Sequence, residues 1–380
     1  MEDSNLVEDQ DEKFAEDGSE ADGELGGIPN EKRILQTQAY DKSVGDLMAM
    51  MDSTNRESDI RLDPHYQRSY IWDNKKASLL IESILLNVPI PVIYVEEDVG
   101  GQWNVVDGLQ RLNSLKRFFS NEFKLTGLEV LPELNREQFS SLNPKAQRIL
   151  RNGILRVIVI LQESHPEIKY DIFLRLNRGA VRLNEQELRN CLYRGSFNDY
   201  LKIARELSTL QKSMGLTAPH NRFVDAELIL RSIAFSTQFD YGRETVTNYV
   251  GKMKGFLNWF MNQHKNATRK TLEAFDEQFQ RSIKSAYAVF GDKSFKKIDA
   301  KTLAADRLVN RAIFDVIMVG FAKYEFKDVL AKKDEIFQLF VSLPERNSVF
   351  SDAITYGTSD KIKVEYRLVT WCRELAKVMQ

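Results

Sequence analysis

The stretch WNVVDGLQRLNSLKRFF, residues 103–119, decides how the first half of this chain is read. Trp103 to Val106 has the apolar, β-branched content of a strand, Asp107-Gly108 is a sharp turn, and Leu112, Leu115, Phe118 and Phe119 recur at helical spacing along Gly108–Phe119. The result is a strand, a turn and a helix. Working outward, Lys75–Leu86 (KKASLLIESILL) carries helical periodicity. Pro89 and Pro91 then stop the helix and lead into the apolar run Val92–Val95, and Gly100-Gly101 turns the chain back. Upstream, Ser43–Met51 reads as a short helix. Downstream, Arg136–Asn152 reads as a helix, Ile154–Leu161 (ILRVIVIL) as a β-branched strand, and Glu167–Leu176 as a helix before the turn Asn177-Arg178-Gly179. From Asn184 the pattern changes to successive helical segments near 184–194, 196–210, 222–238, 243–264, 268–290, 302–323, 325–342 and 360–378, with no convincing strand. The expected fold class is therefore α+β: a mixed domain over 36–183, then an all-helical domain over 184–380.

With 380 residues, 43% of them hydrophobic, the chain is long enough for two cores. The net charge of −2 conceals an asymmetry. Residues 1–30 hold eleven acids and one base, Lys13, so they carry −10 and leave +8 on the remainder. Such a composition predicts a disordered acidic tail over 1–35, read either as a solvating segment or as an acidic mimic shielding a basic groove. A positive remainder suits a polyanionic partner, DNA or nucleotide phosphates. Cys191 and Cys372 stand far apart with no Cys-x-x-Cys spacing, which gives neither a disulfide framework nor a zinc site. No apolar run is long enough to span a bilayer, and acids follow Met1 where a secretory signal would place bases, so a cytoplasmic protein without a membrane partner is expected.

A strand passing through Asp-Gly into a helix presents free backbone N–H groups and the positive helix end to an anion, and phosphate is the usual guest. Gly108 allows close approach of the backbone, Arg111 in the first turn would donate to phosphate oxygens, and Gln110 would reach base, sugar or phosphate. Asp107 would hold a magnesium ion or a water. The plainer alternative makes Asp107 a helix N-cap and Arg111 a solvated surface charge. Gln67 and Arg68, in an extended stretch after Pro64, are either ligands for bases and phosphates or an ordinary polar loop. Lys252, Lys254, Trp259, Lys265, Arg269 and Lys270 form a second basic and aromatic region, for which a core face of Phe256, Leu257, Trp259 and Phe260 with solvated lysines is the simpler reading.

Four ordered segments carry a resemblance: PHYQRSYIWD, LLIESILLNVPIPVIYVEE, WNVVDGLQRLNSL and IFLRLNRGAVRLNEQELRN. Together, over about residues 40–240, they resemble the N-terminal domain of GmrSD-type restriction endonucleases, prokaryotic defence proteins. That family is in turn similar to the ParB/sulfiredoxin fold. The resemblance implies binding, and often hydrolysis, of a nucleoside triphosphate (NTP) at an Asp-Gly-Gln-Gln-Arg motif. The motif falls on Asp107, Gly108, Gln110 and Arg111, with Leu109 in place of the first Gln. Tyr66, Gln67 and Arg68 match a Tyr-Gln-Arg box, and Arg175, Asn177, Arg178 and Gly179 an Arg-Leu-Asn-Arg-Gly box, which makes Asn177 and Arg178 ligands from a second side. Asp107 and Arg111 are the candidate catalytic pair. Glu187 and Arg189 are either part of this constellation or a buried ion pair between domains.

In this family defence activity often requires an HNH-type nuclease. The four histidines, His65, His165, His220 and His264, lie far apart in sequence, so that nuclease is expected from a separately encoded effector. Walker A, G-x-G-x-x-G and G-x-S-x-G patterns are absent. Three functions follow: an NTP-binding and hydrolysing subunit of a restriction or phage-defence system, a non-catalytic DNA-binding module, and a ParB-like nuclease.

Overall fold

The computed structural model describes residues 35–52, 58–62, 72–98, 100–176 and 184–380. The acidic stretch assigned to 1–35 lies almost wholly outside them. Two compact units are present, one reaching to Leu192 and the other running from Tyr193 to Gln380.

The first unit is built on a five-stranded mixed sheet in the order β1-β5-β3-β4-β2, with β1 Thr37–Ser43, β2 Ile60–Arg61, β3 Ile93–Glu97, β4 Trp103–Asp107 and β5 Ile154–Ile160. β1 runs antiparallel to β5, β3 parallel to β5 and antiparallel to β4, and β2 parallel to β4. Six helices accompany it among the described residues: α1 Val44–Met50, α2 Asn74–Leu85, α3 Leu109–Phe119, α4 Pro144–Asn152, α5 Pro166–Leu176 and α6 Glu185–Leu192. Alternation along β5 sends Leu155, Val157 and Val159 into one core with Ile93, Val95 and Val105 of the neighbouring strands. Leu80, Ile81 and Ile84 of α2 and Leu112, Leu115 and Phe118 of α3 close that core.

Local chemistry fixes the helix starts. Ser43 and Asp46 form a reciprocal capping box on α1. The helix expected over Arg136–Asn152 begins only at α4: Asn143 caps it through the Ala146 amide at 2.9 Å and Pro144 occupies its first turn. Arg136 has φ +74°, and Phe139–Ser141 is a separate 3-10 turn. The connection before α4 is held by Glu82, whose buried carboxylate accepts the amides of Val130 and Leu131, both at 2.8 Å, and of Glu129 at 3.3 Å. Burial alone would raise this carboxyl, but the three amides outweigh it and hold it below its ordinary value.

The second unit is helical: α7 Ser196–Ala204, α8 Ser208–Met214, α9 Val224–Gln238, α10 Met253–His264, α11 Arg269–Phe290, α12 Arg311–Ala322, α13 Phe326–Ala331, α14 Lys333–Arg346, α15 Ser348–Ala353 and α16 Lys361–Met379. One exception is a two-stranded hairpin, β6 Phe239–Asp240 with β7 Thr245–Val246, where a helix from 243 is expected. Positive φ at Glu244, Asn248 and Gly251 delays α10 to Met253. Likewise α12 starts at Arg311, not near 302, because Ile298 and Ala305 bridge across a turn organised by Asp299. Every residue of α12 after Arg311 is buried. At Gly320 a β-carbon would lie 2.2 Å from Trp371 Nε1, so the missing side chain is what seats α16. Asp315 of α12 binds Arg231 of α9 through two contacts, at 3.0 and 2.7 Å, and Arg367 of α16 at 3.0 Å, all three side chains being fully buried. Among the described residues no helix is long and apolar enough to cross a membrane.

Candidate functional site

β4 delivers Asp107 to the edge of the core, opposite Tyr94 of β3, where the register shifts between Tyr94 and Val95. The chain then turns at Gly108 with φ +101°, a backbone conformation that L side chains rarely adopt. A β-carbon there would also lie 3.0 Å from Ile93 Cγ1. Glycine is required twice over, by the turn and by the approach of β3. Gly108, not Asp107, is the N-cap of α3, and it supplies no capping side chain. The alternative that made Asp107 the cap is thereby corrected: its carboxylate is directed to Arg111.

Arg111 is 8% exposed, so the alternative of a solvated surface charge is corrected as well. Its Nη2 lies 2.6 Å from Asp107 Oδ2, its Nη1 donates to the Pro91 carbonyl, and both η nitrogens lie 3.3 Å from the Val92 carbonyl. Burial pulls the guanidinium below its ordinary value and Asp107 pulls it back, and an arginine stays charged under such opposing pressures. The side chain thus clamps the start of β3 to the first turn of α3 and orients Asp107. The Asp107 side chain remains 39% exposed, and its Oδ1 has no protein partner among the described residues. Leu109, where the motif's first Gln is replaced, is 7% exposed and belongs to the core.

Gln110 is half-buried and its Oε1 accepts the Trp72 amide at 3.3 Å. Tyr66, Gln67 and Arg68 lie outside the described residues, as do Asn177, Arg178 and Gly179. The contact with Trp72 nonetheless brings the chain to Gln110 four residues after Arg68. α5, which leads towards Asn177, is tied to the same sheet by a partly buried ion pair, Lys169 Nζ to Glu96 Oε1 of β3 at 2.9 Å. Nothing in the local pattern announces that pair, since its partners are 73 residues apart. On α6, Glu187 and Arg189 are fully buried. Glu187 forms a capping box with Asn184, and Arg189 reaches Glu185 at 2.9 Å and Gln186 at 3.1 Å along its own helix. Among the described residues no group of three or more His, Cys, Asp or Glu is arranged to hold a metal ion.

Residues 48–194 match the family model described as GmrSD restriction endonuclease, N-terminal domain. The match runs from α1 to just beyond α6 and takes in Asp107, Gly108, Gln110 and Arg111, so the family expected from the sequence is the one matched over the sheet-bearing unit. No curated protein and no solved structure matches the chain.

Proposed function

Starting from a GmrSD-type domain over residues 48–194, we propose that this protein is an NTP-binding and NTP-hydrolysing component of a prokaryotic restriction or phage-defence system, with its nuclease supplied by a separately encoded partner. The observation that carries the reading is the corner at Gly108. A strand ends, a helix begins without a capping side chain, and a half-exposed carboxylate is held rigidly beside it by a buried arginine. The first-turn amides of α3 and the positive end of its dipole suit the phosphates.

Magnesium commonly binds through one or two carboxylates together with substrate phosphates, and Asp107 has the oxygen to offer, its Oδ1. Such a metal would neutralise charge developing on the phosphates. Within the chain, Asp107 would hold the metal, Gln110 would orient sugar or phosphate, and Tyr66, Gln67, Arg68, Asn177 and Arg178 would be further ligands of the nucleotide. Arg111 acts differently from its expected contact with phosphate. It is a positioning residue that acts through Asp107, because its η nitrogens are engaged with Asp107 and with the carbonyls of Pro91 and Val92.

The test is a thermal-shift screen of the full chain against ATP, GTP, CTP and UTP with magnesium, followed by phosphate-release assays. One nucleotide should raise Tm, since a ligand bound only by the native state stabilises it. Asp107→Asn should abolish phosphate release, and Gln110→Ala should reduce the shift. If no nucleotide moves Tm, the NTP reading falls.

A further inference from the structure

We propose that the exposed face of α4 is a docking surface for the phosphate backbone of double-stranded DNA, separate from the Gly108 corner. α4 reads PKAQRILRN and contains no acid. Ala146 and Leu150 fix its inner side in the core, which leaves Lys145, Arg148 and Arg151 on the exposed arc. None of the three has a carboxylate partner among the described residues. Arg151 is braced over the rings of Phe119 and Phe139, 5.7 and 5.0 Å from their centroids, so part of the array is preorganised. Of the acids on α1 and β1, Asp46 is bonded to Ser43, and Asp41 to Arg156 at 2.9 Å through each of its oxygens. Three uncompensated cations therefore lie within two turns of helix, about 9 Å along its axis.

Charge complementarity selects the occupant. Duplex DNA carries one phosphate per roughly 1.7 Å of axis, and neutralising its phosphates releases condensed counterions. A lone surface lysine gains little from such an encounter, whereas an acid-free row of three cations engages several phosphates at once. Lys145 and Arg148 form no part of the corner that holds Asp107 and Gln110, so the two surfaces are separable by mutation.

The experiment titrates the full chain against a fluorescein-labelled 20-base-pair duplex by fluorescence anisotropy over a series of salt concentrations. The double variant Lys145→Glu/Arg148→Glu should weaken binding at least tenfold and reduce the salt slope by about 2, one unit for each phosphate no longer neutralised. Its Tm and its nucleotide response should match the parent, and Asp107→Asn should leave duplex binding intact, so failure of the nucleotide reading would not touch this one. Lys327→Glu/Lys333→Glu, an equal change of net charge at two exposed sites of the second unit, serves as the control. An equal loss in that control would overturn the proposal, as would absence of duplex binding by the parent at low salt. Binding that emerged only after the eleven acids among residues 2–24 were replaced by their amides would assign the face to the chain's own acidic segment instead.

Discussion

Two arginine–aspartate clusters, one in each unit, use the same chemistry to opposite ends. In the second unit Arg231, Asp315 and Arg367 are fully sealed, and one carboxylate holds three helices together. In the first unit Arg111 is buried but Asp107 stays partly open to solvent, with one oxygen pinned and the other without a protein partner among the described residues. A sealed cluster can serve only the fold, because nothing reaches it. A cluster sealed on one side and open on the other gives a carboxylate a fixed position without consuming it, and that is the arrangement a ligand needs.

The comparison breaks most easily at its sealed end. Asp315→Ala leaves two guanidiniums buried without their carboxylate and should cost about 3–5 kcal/mol or more, read as a lower urea midpoint. Asp315→Asn, which retains the volume, separates loss of charge from loss of packing. Arg111→Ala comes next, at about 2–4 kcal/mol, since it strips the Pro91 and Val92 carbonyls of a donor and frees Asp107. A loss near zero would mean that the clamp is ornamental. Gly108→Ala should cost about 1–3 kcal/mol from positive φ and the approach to Ile93, with Tm the readout.

Glu82 supplies a third case, a buried carboxylate held by backbone amides with no arginine. Its folded pKa lies below the ordinary 4.5, so its contribution is complete above that value and is lost as the pH falls through the lower folded one. As the pH is lowered through that window, the urea midpoint of the parent should therefore drop more steeply than that of Glu82→Gln; identical profiles would remove Glu82 from the account. The smallest effect on stability belongs to Asp107→Asn, under about 1 kcal/mol for a partly exposed pair, although the same change is expected to abolish phosphate release. A large loss of stability there would place Asp107 with the sealed clusters and against a role in binding.

How much of the molecule is legible in its sequence depends on whether the signal is local. The order strand, Asp-Gly turn, helix around residue 107 follows from apolar spacing and one glycine, and the structure has it within a residue. Phe256, Leu257 and Phe260 are buried as the simpler reading of that region requires, whereas Trp259, which that reading also put on the core face, is only half-buried. β1 is not legible, because TQAYDKS is mostly polar and pairs at a sheet edge with a strand more than a hundred residues away. β2, two residues long, carries no periodicity at all. The late starts of α4, α10 and α12 share one cause: left-handed residues and side-chain turns interrupt runs whose composition alone reads as helical.

The sequence by itself determined the class of the fold, the acidic character of residues 1–30, the family model that residues 48–194 match and the identity of the corner residues, because all of these are written in composition, order and short-range spacing. Only the tertiary structure decided which way the corner residues face. It turned Arg111 inward onto Pro91 and Val92, gave the capping position to Gly108 and left Asp107 half open. The reason is that a side chain's direction depends on what packs against it, and here the packing partner, the start of β3, lies some twenty residues away in the chain.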